Sequence, residues 1–73
     1  MTTYELIWEH RELDEIPHIA YGIVAKTWGE QILLKIQDIS TDRQQAEIFV
    51  NLCNTMNLSP RHLHDAVADF IVA

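Results

Sequence analysis

The chain has 73 residues, of which 48% are apolar, and a formal net charge of −6. That length sets a ceiling of one domain, and that apolar content supplies one core and excludes disorder. The five basic residues, Arg11, Lys26, Lys35, Arg43 and Arg61, are scattered among eleven acidic ones. No clustered cationic surface exists for nucleic acid or an anionic membrane.

The first residues carry neither a basic run nor a long apolar stretch, and no segment approaches the roughly 20 apolar residues that span a bilayer. A cytoplasmic protein is expected. The single cysteine, Cys53, excludes an internal disulfide. Its neighbours Phe49, Leu52 and Met56 predict a buried thiol in a reducing setting.

Taken in order, Tyr4 to Glu9 alternates and predicts a first strand, with Tyr4, Leu6 and Trp8 on one face. Residues 10–17 follow as an acidic loop that Pro17 closes. Glu9, Glu12, Asp14 and Glu15 could gather round a cation. Their spacing lacks the glycine and ordered oxygen ligands of a calcium loop, so a solvated loop is the preferred reading. Residues 18–27 predict a second strand, with Ile19, Tyr21 and Ile23 on one face. Gly22 inside it marks a bulge or a close backbone approach. Thr27-Trp28-Gly29-Glu30 reads as a turn in which Gly29 takes positive φ and Trp28 folds back on the sheet. Residues 30–39 form the third strand, with Ile32, Leu34 and Ile36 on the face shared with Tyr4 and Ile23. Ile39 goes to the other face.

That apolar face needs a cover. A helix over 42–56 is predicted from Thr41 as N-cap, Gln44 completing a capping box, and a stripe of Ala46, Phe49, Val50, Cys53 and Met56 broadened by Ile48 and Leu52. Asn57 stops it. Ser59 caps a second helix over 60–72 with Pro60 in its first turn, and Leu58 and Leu63 staple its start. Its stripe is Leu63, Ala66, Val67, Phe70 and Ile71. The expected fold is α+β: a three-stranded antiparallel meander followed by two helices on one face, βββαα.

Few residues are left over for chemistry. His62, Asp65 and Asp69 share a flank of the second helix, and such a set could bind zinc or manganese. A solvated face explains them better, with Arg61 and Asp65 as an ion pair. Arg61 and His64 complete the outward polar set. Cys53 on an apolar stripe is a poor nucleophile, and no glycine-rich phosphate loop exists. No catalytic residue, cofactor site or metal site is expected. The uncovered sheet face is more suggestive. Ile7, Val24, Leu33 and other aliphatics lie at its centre and charges at its rim, as in a small interface, with Trp28 as a possible anchor. Dimerisation through this face, or by edge pairing of the first or third strand, is the leading expectation.

Tyr21-Gly22-Ile23, Asp38-Ile39-Ser40, and Leu58-Ser59-Pro60-Arg61-His62-Leu63-His64-Asp65 with Asp69-Phe70 resemble a family of short uncharacterised bacterial proteins, found mainly in Firmicutes and classed as a domain of unknown function. The resemblance runs from the second strand onward and implies a bacterial cytosolic origin. It transfers no activity. The sequence therefore predicts a non-enzymatic, self-associating interaction module, most simply a homodimer. A regulatory protein binding a metal or small ligand is the alternative.

Overall fold

A computed structural model describes residues 2–72. Three strands, β1 (Thr3–Leu13), β2 (Ile16–Lys26) and β3 (Ile32–Ser40), form one antiparallel sheet in the order β1-β2-β3. Two helices follow, α1 (Arg43–Thr55) and α2 (Leu63–Val72), the second entered through a 3₁₀ turn over Pro60–His62. This is the expected βββαα architecture.

The segment 10–17 is not a loop. β1 and β2 remain in register from Thr3↔Lys26 to Leu13↔Ile16, joined only by Asp14-Glu15. Both of these residues have positive φ, 51° and 67°, the geometry of a tight two-residue hairpin turn whose twist matches the flanking strands. Pro17 lies inside β2 opposite Glu12. The Leu13–Ile16 closure makes the odd-numbered residues of β1 and the even-numbered residues of β2 the ones bonded to each other. The missing N–H of Pro17 therefore faces the β3 side, which β3 does not reach, since its pairing stops at Tyr21↔Ser40. The hairpin projects past the rest of the sheet, and the molecule measures 40 × 27 × 18 Å.

β3 is irregular twice. Its register against β2 shifts between Ala25 and Lys26 and again between Tyr21 and Ile23. At the second shift Asp38 takes φ 60°, and this break in alternation turns Ile39 into the core instead of onto the opposite face. Gly22 sits opposite the bulge. A Cβ there would run into the Ile36 carbonyl oxygen and lie 2.9 Å from Gln37 Cα, so the close approach expected at this glycine is real. At the first shift Ile32 pairs with Lys26 and is exposed, leaving the core face to Leu34 and Ile36.

The core lies between the sheet and the helices. Tyr4, Ile23, Ala25 and Ile39 meet Phe49, Val50, Cys53, Leu63 and Val67. Ile23 and Leu63 are fully buried, each contributing about 1.5–3 kcal/mol of hydrophobic stabilisation. Phe49 of α1 stacks on Phe70 of α2 with ring centroids 4.7 Å apart. Ile48, Leu52, Met56 and Ile71 stay exposed, because Ala46, Phe49, Val50 and Cys53 suffice to seat α1.

The helix ends follow ordinary capping physics with two changes. Asp42, not Thr41, is the N-cap of α1, and its carboxylate accepts from the N–H groups of Gln44 (3.0 Å) and Gln45 (3.3 Å). Ser59 occupies the N-cap position before Pro60, but only its backbone carbonyl bonds, accepting from His62 N–H at 2.9 Å. Asn57 terminates α1 as expected with φ 52°, and Leu58 N–H returns to the Cys53 carbonyl at 3.0 Å. In the β2–β3 turn the positive φ belongs to Glu30 at 67°, not to Gly29. Trp28 does not fold back and is 88% exposed.

Candidate functional site: the free edge of β1

Both β1 and β3 are edge strands. β3 is broken by its two register shifts, a common device for keeping an edge from pairing with another chain. β1 has no such break over eleven residues. The backbone groups of its even-numbered residues, Tyr4 to Glu12, point away from β2.

One of these residues is satisfied within the chain. Tyr4 N–H donates to Asn54 Oδ1 at 2.8 Å, and Asn54 Nδ2 donates to the Tyr4 carbonyl at 2.9 Å. The carboxamide of α1 thus stands in for a neighbouring strand at that one position. The Tyr4 hydroxyl donates to the Leu58 carbonyl at 2.5 Å, which ties the same residue to the interhelical join. Burial raises the Tyr4 phenol above its ordinary value, and the nearby Cys53 adds to this. Burial likewise raises the Cys53 thiol, which disfavours the reactive thiolate.

Beyond Tyr4 the edge is open. Among the described residues, no hydrogen bond outside the strand ladders reaches Leu6, Trp8, His10 or Glu12. Beside Leu6 runs a groove of about 330 Å³, bounded by Tyr4 and by Glu47, Val50, Asn51 and Asn54 of α1. Further along, two apolar side chains of β1 are wet: Trp8 is 63% and Leu13 67% exposed. Between them Glu9 and Arg11 share the open sheet face and pair at 2.7 Å, while Asp38 lies 4.0 Å from the same guanidinium. The bond to Glu9, then its charge, holds the proton on Arg11 more tightly.

The residues singled out from sequence are spread over the molecule. Val24 is 3% exposed and presents no surface of its own. Ala20 and Gly22 beside it form the buried floor of a hollow of about 200 Å³, walled by Ile7, Glu9, Lys35 and Gln37. The central strand of the open face carries small side chains, and the longer ones of its neighbours close over them. Ile7 is half-buried, Leu33 half-exposed, and Trp28 stands alone at the far turn. Arg61, His62, His64, Asp65 and Asp69 are all exposed. Among the described residues no three His, Cys, Asp or Glu side chains come together as a metal site would require. The acidic residues read as a solvated loop are spread along the hairpin: Glu9 is paired with Arg11, and Asp14 and Glu15 form the turn. Among the described residues no helix is long and apolar enough to cross a membrane.

Sequence reasoning missed the length of β1 and the role of Asn54. The first had a signal in Leu13 and Ile16 flanking two residues. The second had none, since 50 positions separate Asn54 from Tyr4. No curated protein and no solved structure matches the chain. The model of a family of unknown function (DUF6514) matches residues 1–73, and the chain belongs to that family.

Proposed function

We propose that this protein is a small, non-enzymatic interaction module whose binding element is the free edge of β1, and that it works by accepting a further strand. The contrast between the two sheet edges carries this reading. β3 is bulged and β1 is unbroken, with unsatisfied backbone groups at Leu6, Trp8, His10 and Glu12. Main-chain hydrogen bonds to such an edge supply affinity, and alternate side chains supply selectivity. The exposed apolar side chains of Trp8 and Leu13 add area that a partner strand would cover. The buried free thiol of Cys53 suits a reducing, cytoplasmic setting.

Residue-resolved amide exchange tests the reading. The amides of Leu6, Trp8 and His10 are expected to exchange freely in dilute protein. They should become protected either at high protein concentration or with an excess of synthetic extended peptides of alternating apolar sequence. Free exchange under all three conditions would overturn it.

A further inference from the structure

The free edge of β1 has a definite length and a definite centre. Asn54 occupies the outward groups of Tyr4, so pairing cannot begin before Leu6. The turn at Asp14-Glu15 ends the strand on the other side. The free stretch from Leu6 to Leu13 is centred between Glu9 and His10, so a symmetric pairing that uses all of it has its axis at one of these two residues. We infer that the strand added to this edge is β1 of a second copy of the same chain, antiparallel, with the two-fold axis passing between the two His10 residues. This inference rests on the edge-pairing reading above and names its partner.

Edge geometry leaves few alternatives. Outward-facing residues must pair with outward-facing residues, so only registers that set even positions against even positions are possible. An axis at Trp8 brings Glu12 of the second copy against Tyr4, whose groups are already taken. An axis at Glu9 sets Glu9 against itself, and one at Arg11 sets arginine against arginine, each a like-charge pair directly opposed across strands.

With the axis at His10, every pairing on the open face is favourable. Glu9 opposes Arg11 of the second copy, and by symmetry Arg11 opposes the second copy's Glu9. Ile7 opposes Leu13 of the second copy, again twice. The backbone ladder closes at His10–His10 and at both Trp8–Glu12 pairs. The alternation of charge along β1, which on an ordinary edge discourages association, is here self-complementary. The ion pair of Arg11 with Glu9 inside each chain at 2.7 Å becomes part of a four-membered cluster across the axis. Two three-stranded sheets become one sheet of six strands, and the projecting hairpins lie along each other instead of standing in water. An isologous contact of this kind closes at two copies and does not propagate, because the remaining edges are the bulged β3 strands.

Sedimentation equilibrium on the full chain and three charge variants tests the inference. Glu9→Arg and Arg11→Glu each turn two cross-axis attractions into repulsions and are expected to weaken association by about tenfold or more. The double variant Glu9→Arg with Arg11→Glu restores both pairs and should return affinity to near the original. In a Cys53→Ala background, His10→Cys should form a covalent dimer under mild oxidation, whereas Gln31→Cys should not. A strict monomer at millimolar concentration, single reversals without effect, or a double variant no better than the singles would each overturn this register.

Trp8→Pro separates the two levels of the proposal. It removes an outward N–H without touching the β1–β2 ladder. If Trp8→Pro abolishes association but the double reversal fails to rescue, the His10 register falls while the edge reading stands. If Trp8→Pro dimerises normally, both fall.

Discussion

Asn54 holds Tyr4 at both backbone groups, donating to its carbonyl and accepting from its N–H at 2.9 and 2.8 Å. A side-chain amide from α1 thereby completes the first rung of a strand ladder that no neighbouring strand completes. Asn54→Ala leaves both Tyr4 groups unsatisfied in a part-buried site and is expected to cost about 1–3 kcal/mol. For a domain of this size that is a fall in Tm of about 4–8 °C per kcal/mol. Asn54→Asp keeps the shape but sets an oxygen against the Tyr4 carbonyl, so it should cost at least as much. Thermal denaturation followed by circular dichroism checks both, and a harmless aspartate would show that the clamp acts by shape alone.

The two glycines should respond in opposite ways. Gly22→Ala drives a methyl into the Ile36 carbonyl and the Gln37 backbone, neither of which can step aside, for a loss of about 1–3 kcal/mol. Gly29 has no positive φ, and an added Cβ would have only the Thr27 hydroxyl at 4.0 Å. Gly29→Ala is expected to be neutral or to stabilise by about 0.4–1 kcal/mol through the unfolded chain. Urea midpoints for the pair make the comparison.

Leu63 and Trp28 separate size from burial. Leu63 is fully buried between α2 and the sheet, and Leu63→Ala should cost about 2–5 kcal/mol. Trp28 is larger but exposed, so Trp28→Ser should alter stability by no more than about 0.5 kcal/mol. A clear loss with Trp28→Ser, measured in dilute protein, would place that ring against the fold after all.

Alkaline pH should unfold the protein through its core. Burial raises the thiol of Cys53 above its ordinary 9.0. Burial, with Cys53 beside it, raises the phenol of Tyr4 above 10.0. The folded state therefore binds these protons more tightly than the unfolded chain. Their contribution is intact below about pH 9 and declines as pH rises past the unfolded values toward the raised ones. Lys26, whose proton is held by Glu5 and then Glu30, acts in the same direction at higher pH. Urea midpoints are expected to be flat from pH 7 to 8.5 and to fall by pH 10. A midpoint that rises over that range would contradict the assigned burial.

The order of elements was readable because the helical half announces itself. The stripe from Ala46 to Cys53, the stop at Asn57 and the run from Leu63 to Phe70 all follow local rules, and local rules are what a sequence displays directly. The strand half depended on pairing. Alternation alone puts Ile39 on the wrong face because the bulge at Asp38 inserts a left-handed residue into β3, and aspartate gives only a weak hint of it. The hairpin's full length is hidden for a similar reason. Asp14-Glu15 lacks the glycine that usually marks such a turn, and Pro17 reads as a boundary although it occupies an unpaired side of β2. From sequence the β1 edge is one option among several, and its limits are invisible. They depend on Asn54, which α1 brings to Tyr4 only when the chain is folded.

The turn at Asp14-Glu15 has a consequence for motion. Two non-glycine residues held at positive φ make it a weaker closure than one with glycine in the second place. The hairpin's loosest point is therefore its tip. Opening should start at Leu13 and Ile16 and run inward toward Tyr21, where β3 begins to brace the sheet. The outer arm would then sample frayed states often, while the Tyr4 end stays closed until the whole molecule unfolds. Glu15→Gly would tighten the tip and flatten that gradient of amide exchange. The arm is thus graded in stiffness, and a single residue at its end sets the slope.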